Sequence, residues 1–147
     1  MTIIYKKVET INEFIDAVRI RVDVFIIEQK CPPGWEPDEL DKFARHFIAV
    51  ADGEIAATVR LREDPEGVAK MECMAVKKAY RRRGIAFGLT KYTVEQAREE
   101  GYKKIWMQAQ EYAKSLYEKA WFTVTSEPYD LFNLGITHVD MECILEK

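Results

Sequence analysis

The stretch from Val68 to Gln108 constrains the fold more than any other part of the sequence. Val68 to Val76 reads as a strand. After Gly84, residues Ile85, Leu89, Tyr92, Thr93, Gln96 and Ala97 recur on related faces of a helix that Gly101 is placed to end, and Lys104 to Gln108 reads again as a strand. Strand, helix and strand in succession imply a parallel pair joined by a right-handed crossover, because no tight turn links parallel strands. The chain is therefore α/β in class.

The flanking segments fill in a mixed sheet. Thr2 to Val8 is a first strand, and Thr10 or Asn12 caps a helix in which Ile11, Phe14, Ile15, Val18, Val22 and Phe25 keep helical spacing to about Gln29. Cys31-Pro32-Pro33-Gly34 stops that helix, and the acidic Glu36 to Asp41 follows as a loop. His46 to Ala51 and Glu54 to Arg62 form a hairpin through Asp52-Gly53, and Asp64-Pro65-Glu66-Gly67 turns the chain into the Val68 strand. Ala113 to Lys119 is a short helix, with strands at Phe122 to Ser126 and His138 to Leu145. The expected fold is a mostly antiparallel mixed sheet with a parallel central strand pair, flanked by helices. With 147 residues, 48% of them apolar, and no repeat or break in composition, residues 1–147 read as a single domain.

Charge and composition exclude several function classes. The 22 basic and 25 acidic side chains leave a formal charge of -3, so nothing general attracts nucleic acid or an anionic membrane. No apolar run is long enough to span a bilayer, and Met1 to Lys7 lacks the layout of a signal peptide, which predicts a cytoplasmic protein. Cys31, Cys73 and Cys143 are odd in number and widely spaced, which suggests neither a disulfide framework nor a metal site.

The turn Arg81-Arg82-Arg83-Gly84-Ile85-Ala86 lies where strand gives way to helix. Backbone N–H groups at such a point have no intrahelical acceptor, the helix dipole is positive there, and Gly84 and Ala86 keep the approach open to an anion. Three successive arginines cannot all point at one ligand. The spacing fits neither GxxxxGK[ST] nor GxGxxG, so a nucleotide P-loop and a dinucleotide fold lose ground.

Met71 to Ala86 resembles the acetyl-CoA-binding motif of the GNAT superfamily of N-acetyltransferases, with Arg81, Gly84 and Ala86 in the fixed places of its Q/R-x-x-G-x-G/A core. Ser115-Leu116-Tyr117-Glu118-Lys119-Ala120-Trp121-Phe122 resembles the later helix-to-strand motif, with Trp121 in the usual glycine place. Val24 to Gln29, Cys31-Pro32 and Gly135-Ile136-Thr137-His138 resemble the small bacterial ElaA-like branch. The resemblance implies acetyl-CoA as cosubstrate and no metal. It implies pantetheine along Met74, Ala75 and Val76, pyrophosphate at Arg81, Arg82, Arg83, Gly84, Ile85 and Ala86, and Tyr117 as general acid toward the departing thiolate. Ala113 stands near a place where relatives carry a coenzyme-binding asparagine.

For the general base, Glu72 is the first candidate, because strand alternation would put it on the face of Met74 and Val76. His46 and Asp41 come second, and His138 reads as structural. Neither Cys31 nor Cys73 has an adjacent histidine that would favour a covalent acetyl-thiol route. The acceptor is expected to be a primary amine, preferably a small cationic molecule drawn by Glu36, Asp38, Glu39 and Asp41. Phe132 and Leu134 mark a candidate homodimer contact. The competing reading is a non-catalytic acetyl-CoA-binding or partner-binding module.

Overall fold

The computed structural model describes residues 1–146. Strand β1 (Ile3–Lys7) leads to α1 (Ile11–Arg21), which opens with a capping box between Thr10 and Glu13. Strands β2 (Arg45–Ala51), β3 (Glu54–Glu63) and β4 (Val68–Val76) follow as an antiparallel meander. Helix α2 (Ile85–Glu99) crosses to β5 (Lys104–Gln110), which pairs parallel to β4. Helix α3 (Lys114–Lys119), the two-residue strands β6 (Thr123–Val124) and β7 (Tyr129–Asp130), and β8 (Thr137–Ile144) complete the chain. The sheet order is β1-β2-β3-β4-β5-β8-β6, with β7 also on β8.

Strand alternation divides the side chains between two faces. Ile105, Met107 and Ala109 of β5 and Val139, Met141 and Cys143 of β8 join the main core with Ile85, Leu89, Val94 and Ala97 of α2. The packing of α2 is close: a Cβ on Gly88 would lie 1.8 Å from the Tyr5 hydroxyl, so any larger residue there would have to displace the Tyr5 ring. On the other face, Ile20 of α1 and Val24 beyond it pack on Ala75 in a smaller cluster.

Three local expectations are corrected. The first helix does not continue as α-helix to Gln29; it widens into a π-helix over Val22–Glu28, where Gln29 N–H donates to the Val24 carbonyl. The strand expected over Phe122 to Ser126 contracts to Thr123–Val124, and β7 was not foreseen. A β-bulge interrupts β4: the register with β3 shifts between Thr58 and Arg60, and Cys73 takes a left-handed φ of 57°. Bulging reverses side-chain alternation. Met74 and Val76 therefore pack against the main core, whereas Glu72 shares the α1 face with Arg60 and Ala75, and the alternation argument for Glu72 does not hold.

Candidate active site

The parallel pair that fixed the fold also opens the site. Only Val68–Lys70 of β4 pairs with Lys104–Trp106 of β5; beyond them the strands part, and among the described residues the β5-facing edge of Met74, Ala75 and Val76 has no strand partner. A cleft of about 990 Å³ fills the gap. Its lining includes Met74, Ala75, Val76, Arg81, Arg82, Gly84, Ile85, Ala86 and Tyr117.

At one end of the cleft, Gly84 caps α2 in a left-handed conformation (φ 76°) and supplies no capping side chain. Among the described residues, no acceptor meets the backbone N–H groups of Gly84, Ile85, Ala86 and Phe87. The positive end of a 15-residue helix is thus open to an anion. The arginines divide as their number required. The Arg81 guanidinium is already engaged, donating to Glu28 at 2.9 and 2.6 Å and to the Val76 carbonyl at 3.1 Å, so it ties the π-helix to the end of β4. Arg82 lines the cleft, and Arg83 lies over the Tyr80 ring outside it.

Tyr117 enters from α3, on the main-core side of the sheet. It is 6% exposed and packs edge-on against Phe122. Its hydroxyl has no hydrogen-bond partner among the described residues, and burial pushes the phenol's pKa up, so it stays protonated. Trp121 takes the left-handed backbone that glycine favours after a helix, with φ 74°, and its side chain is more than half exposed.

On the α1 face, a buried ion network replaces the acidic attractant expected there. Arg21, 1% exposed, donates to Glu36 at 3.1 and 2.9 Å and to Asp41 at 2.8 and 3.0 Å. Arg60, 3% exposed, donates to Asp38 at 2.7 Å, Asp41 at 3.0 Å and Glu72 at 3.1 Å. Burial alone would raise the Asp41 pKa, but the two arginines hold it down to about 2. Glu72 also receives Arg62 at 2.6 Å and Lys70 at 3.4 Å; burial opposes ionisation, and these cations outweigh it, so its pKa is lowered. A carboxylate so held is a weak proton acceptor, and the geometry does not suit Glu72 to the role of base. Neither second-line candidate suits it better. Asp41 is committed to the arginines, and His46 is buried outside the cleft, its Nε2 bonded to the Asp41 carbonyl.

Other residues close the cleft. Gln29 and Gln110 exchange amide hydrogen bonds of 3.1 and 2.8 Å across it, and Trp35 meets Phe132 edge-on with centroids 4.8 Å apart. Phe132 of the proposed homodimer patch thus belongs to the cleft wall. Arg21 and Arg60 escaped the sequence reading, although an arginine on the apolar face of a helix and another inside a hydrophobic strand both signal buried cations that need carboxylates. Among the described residues, no cluster of metal-ligating side chains occurs and no helix could cross a membrane. Burial raises the thiol pKa of Cys31, and that of Cys73 to about 12, so neither offers a ready thiolate.

Comparison with known proteins gives a consistent picture. The model of the acetyltransferase (GNAT) family matches residues 15–122. YjcF of Bacillus subtilis, described as an uncharacterized N-acetyltransferase, is 32% identical over 126 residues, 86% of this chain and 89% of that protein. Among solved structures, Escherichia coli ElaA superposes with a TM-score of 0.83 at 20% identity, over 97% of this chain and 99% of ElaA. A Bacillus subtilis acetyltransferase in complex with CoA gives 0.71 at 19% identity, over 98% and 99% of the two chains.

Proposed function

The chain belongs to the GNAT family of acetyltransferases and is an acetyl-CoA-dependent acetyltransferase; we propose that it passes the acetyl group directly to a primary amine, with Tyr117 as general acid. The observation that carries this reading is the uncommitted, protonated Tyr117 hydroxyl in the wall of the cleft where β4 and β5 part. A phenol in that state can give its proton to a thiolate leaving from the cleft.

The cosubstrate fits the residues present. The free N–H groups from Gly84 to Phe87 suit a pyrophosphate, with Arg82 beside them and Arg81 bracing the turn. The open β4 edge from Met74 to Val76 offers main-chain groups to pantetheine, as a sheet edge does to a peptide. A main-chain N–H beside the Cys73 bulge is suited to stabilise charge on the thioester oxygen during attack. Direct attack, rather than passage through a thiol, is favoured by the raised pKa of Cys73.

The acceptor enters from the α1 face, between Trp35, Phe132 and the strands. We propose a small amine. Because Glu36, Asp38 and Asp41 are neutralised internally, its cationic charge is not what the acidic loop recognises. No observation favours the non-catalytic module over this reading.

Thiol release from acetyl-CoA, measured with phenethylamine, spermidine, glucosamine and a lysine peptide, tests it. At least one amine accelerates release, and Tyr117→Phe lowers kcat by about 100-fold or more with little change in the KM for acetyl-CoA. Undiminished turnover in that variant would remove Tyr117 from the role, and no release with any amine would favour the non-catalytic module.

A further inference from the structure

Acid and base in this reaction need opposite positions: one reaches the sulfur, the other the incoming nitrogen. Tyr117 approaches from the main-core side of the sheet, which leaves the base to the α1 side. Cross-strand register identifies what lies there. Gln110 and Gln108 of β5 face away from Ile105, Met107 and Ala109, and their β8 partners are His138 and Asp140. His138 therefore stands on the acceptor side, at the end of β5 where the cleft is open.

Its local geometry is that of a prepared acceptor. His138 is 5% exposed and lines the cleft. Nδ1 lies 2.8 Å from the Ile136 carbonyl, which can only accept, so Nδ1 carries a hydrogen and Nε2 of the neutral ring carries the lone pair. Nε2 has no hydrogen-bond partner among the described residues and is not sealed from solvent. Tyr129 and Phe132 hold the ring, with centroids at 6.3 and 6.0 Å. Tyr129, Asp140 and Lys70 on this face are committed elsewhere: Tyr129 donates to Asp140 at 2.5 Å, and Lys70 bridges Glu72 and Gln108.

We propose that His138 Nε2 is the general base that deprotonates the acceptor ammonium. This rests on the acetyl-transfer reading above. Nε2 takes one proton from R–NH3+, and the freed lone pair forms the C–N bond to the acetyl carbon. The C–S electron pair leaves with sulfur, which takes the Tyr117 proton. The second proton lost by nitrogen returns to Tyr117 through water, and His138 releases its proton to solvent. One ammonium and one thioester thus yield one amide, one thiol and one proton. In this scheme the ion-paired Glu72 shapes the cleft and moves no proton.

The test uses the best alkylamine of the panel and its β-difluorinated analogue at about pH 8.5, where the fluorinated amine is largely neutral and the parent amine is still an ammonium ion. With the alkylamine, His138→Ala loses about 100-fold or more in kcat/KM, and added imidazole restores part of the rate. With the fluorinated amine the loss stays within a few-fold. His138→Gln, which can keep a hydrogen bond to the Ile136 carbonyl, behaves as His138→Ala without rescue and guards against misfolding; acetyl-CoA affinity stays at the wild-type value in both. An equal loss with both amines, or no loss, overturns the role of His138. A wild type inactive toward every amine overturns the acetyl-transfer reading itself, and this one with it.

Discussion

The acidic loop from Glu36 to Asp41 and the basic turn from Arg81 to Phe87 look alike in the sequence, as short charged segments beside a Pro or Gly break. In the structure they are opposites. The loop is satisfied from within: Arg21 and Arg60 take up Glu36, Asp38 and Asp41 and fold the segment over the α1 face. The turn is satisfied only at Arg81, which Glu28 and the Val76 carbonyl hold: among the described residues the N–H groups from Gly84 to Phe87 have no acceptors, and Arg82 and Arg83 have no carboxylate partner. A run of charge marks a ligand site when the protein leaves it unpaired, and a structural joint when it does not.

Asp41→Asn gives the sharpest break in that comparison. It leaves Arg21 and Arg60 under-compensated in a buried setting, and a loss of about 3 to 5 kcal/mol in unfolding free energy by denaturant titration is expected. Acid acts on the same joint more gently. Asp41 ionises at about 2 against an ordinary 3.8, so its contribution is complete above about pH 4 and is lost as pH falls through 2. Titration at a series of pH values should show roughly 2 kcal/mol disappearing across that window from this group. The double variant Arg82→Ala/Arg83→Ala is the smallest perturbation of stability, within about 0.5 kcal/mol, because neither side chain has a carboxylate partner among the described residues and the one ring contact, of Arg83 with Tyr80, is at the surface. Its acetyl-CoA affinity should fall severalfold at low ionic strength, with the difference shrinking as salt is added.

Much of this was legible in the sequence because it depends on local pattern. The βαβ unit, the hairpin at Asp52-Gly53 and the uncapped turn at Gly84 that opens α2 each follow from periodicity and turn chemistry within about 40 residues. What was not legible depends on partners distant in the chain. The bulge at Cys73 is a register event between β3 and β4, and no residue type in Glu72-Cys73-Met74 announces it, yet it reverses the face of the residue chosen as base. The acidic loop was read as an attractant because its partners, Arg21 and Arg60, lie 15 or more positions away. The place of His138 in the cleft wall was not legible, because it follows from pairing with Gln110 on a strand far back in the chain.

The open turn at Gly84 is the proposed seat of the donor's pyrophosphate. Calorimetric titration of acetyl-CoA into Gly84→Glu and Gly101→Glu tests it most directly. Both glycines have positive φ, 76° and 86°, so both substitutions carry similar backbone strain and the same added charge, but at opposite ends of α2. An affinity about 100-fold or more below wild type is expected for Gly84→Glu, and one near wild type for Gly101→Glu; equal affinities in the two variants would put the pyrophosphate elsewhere.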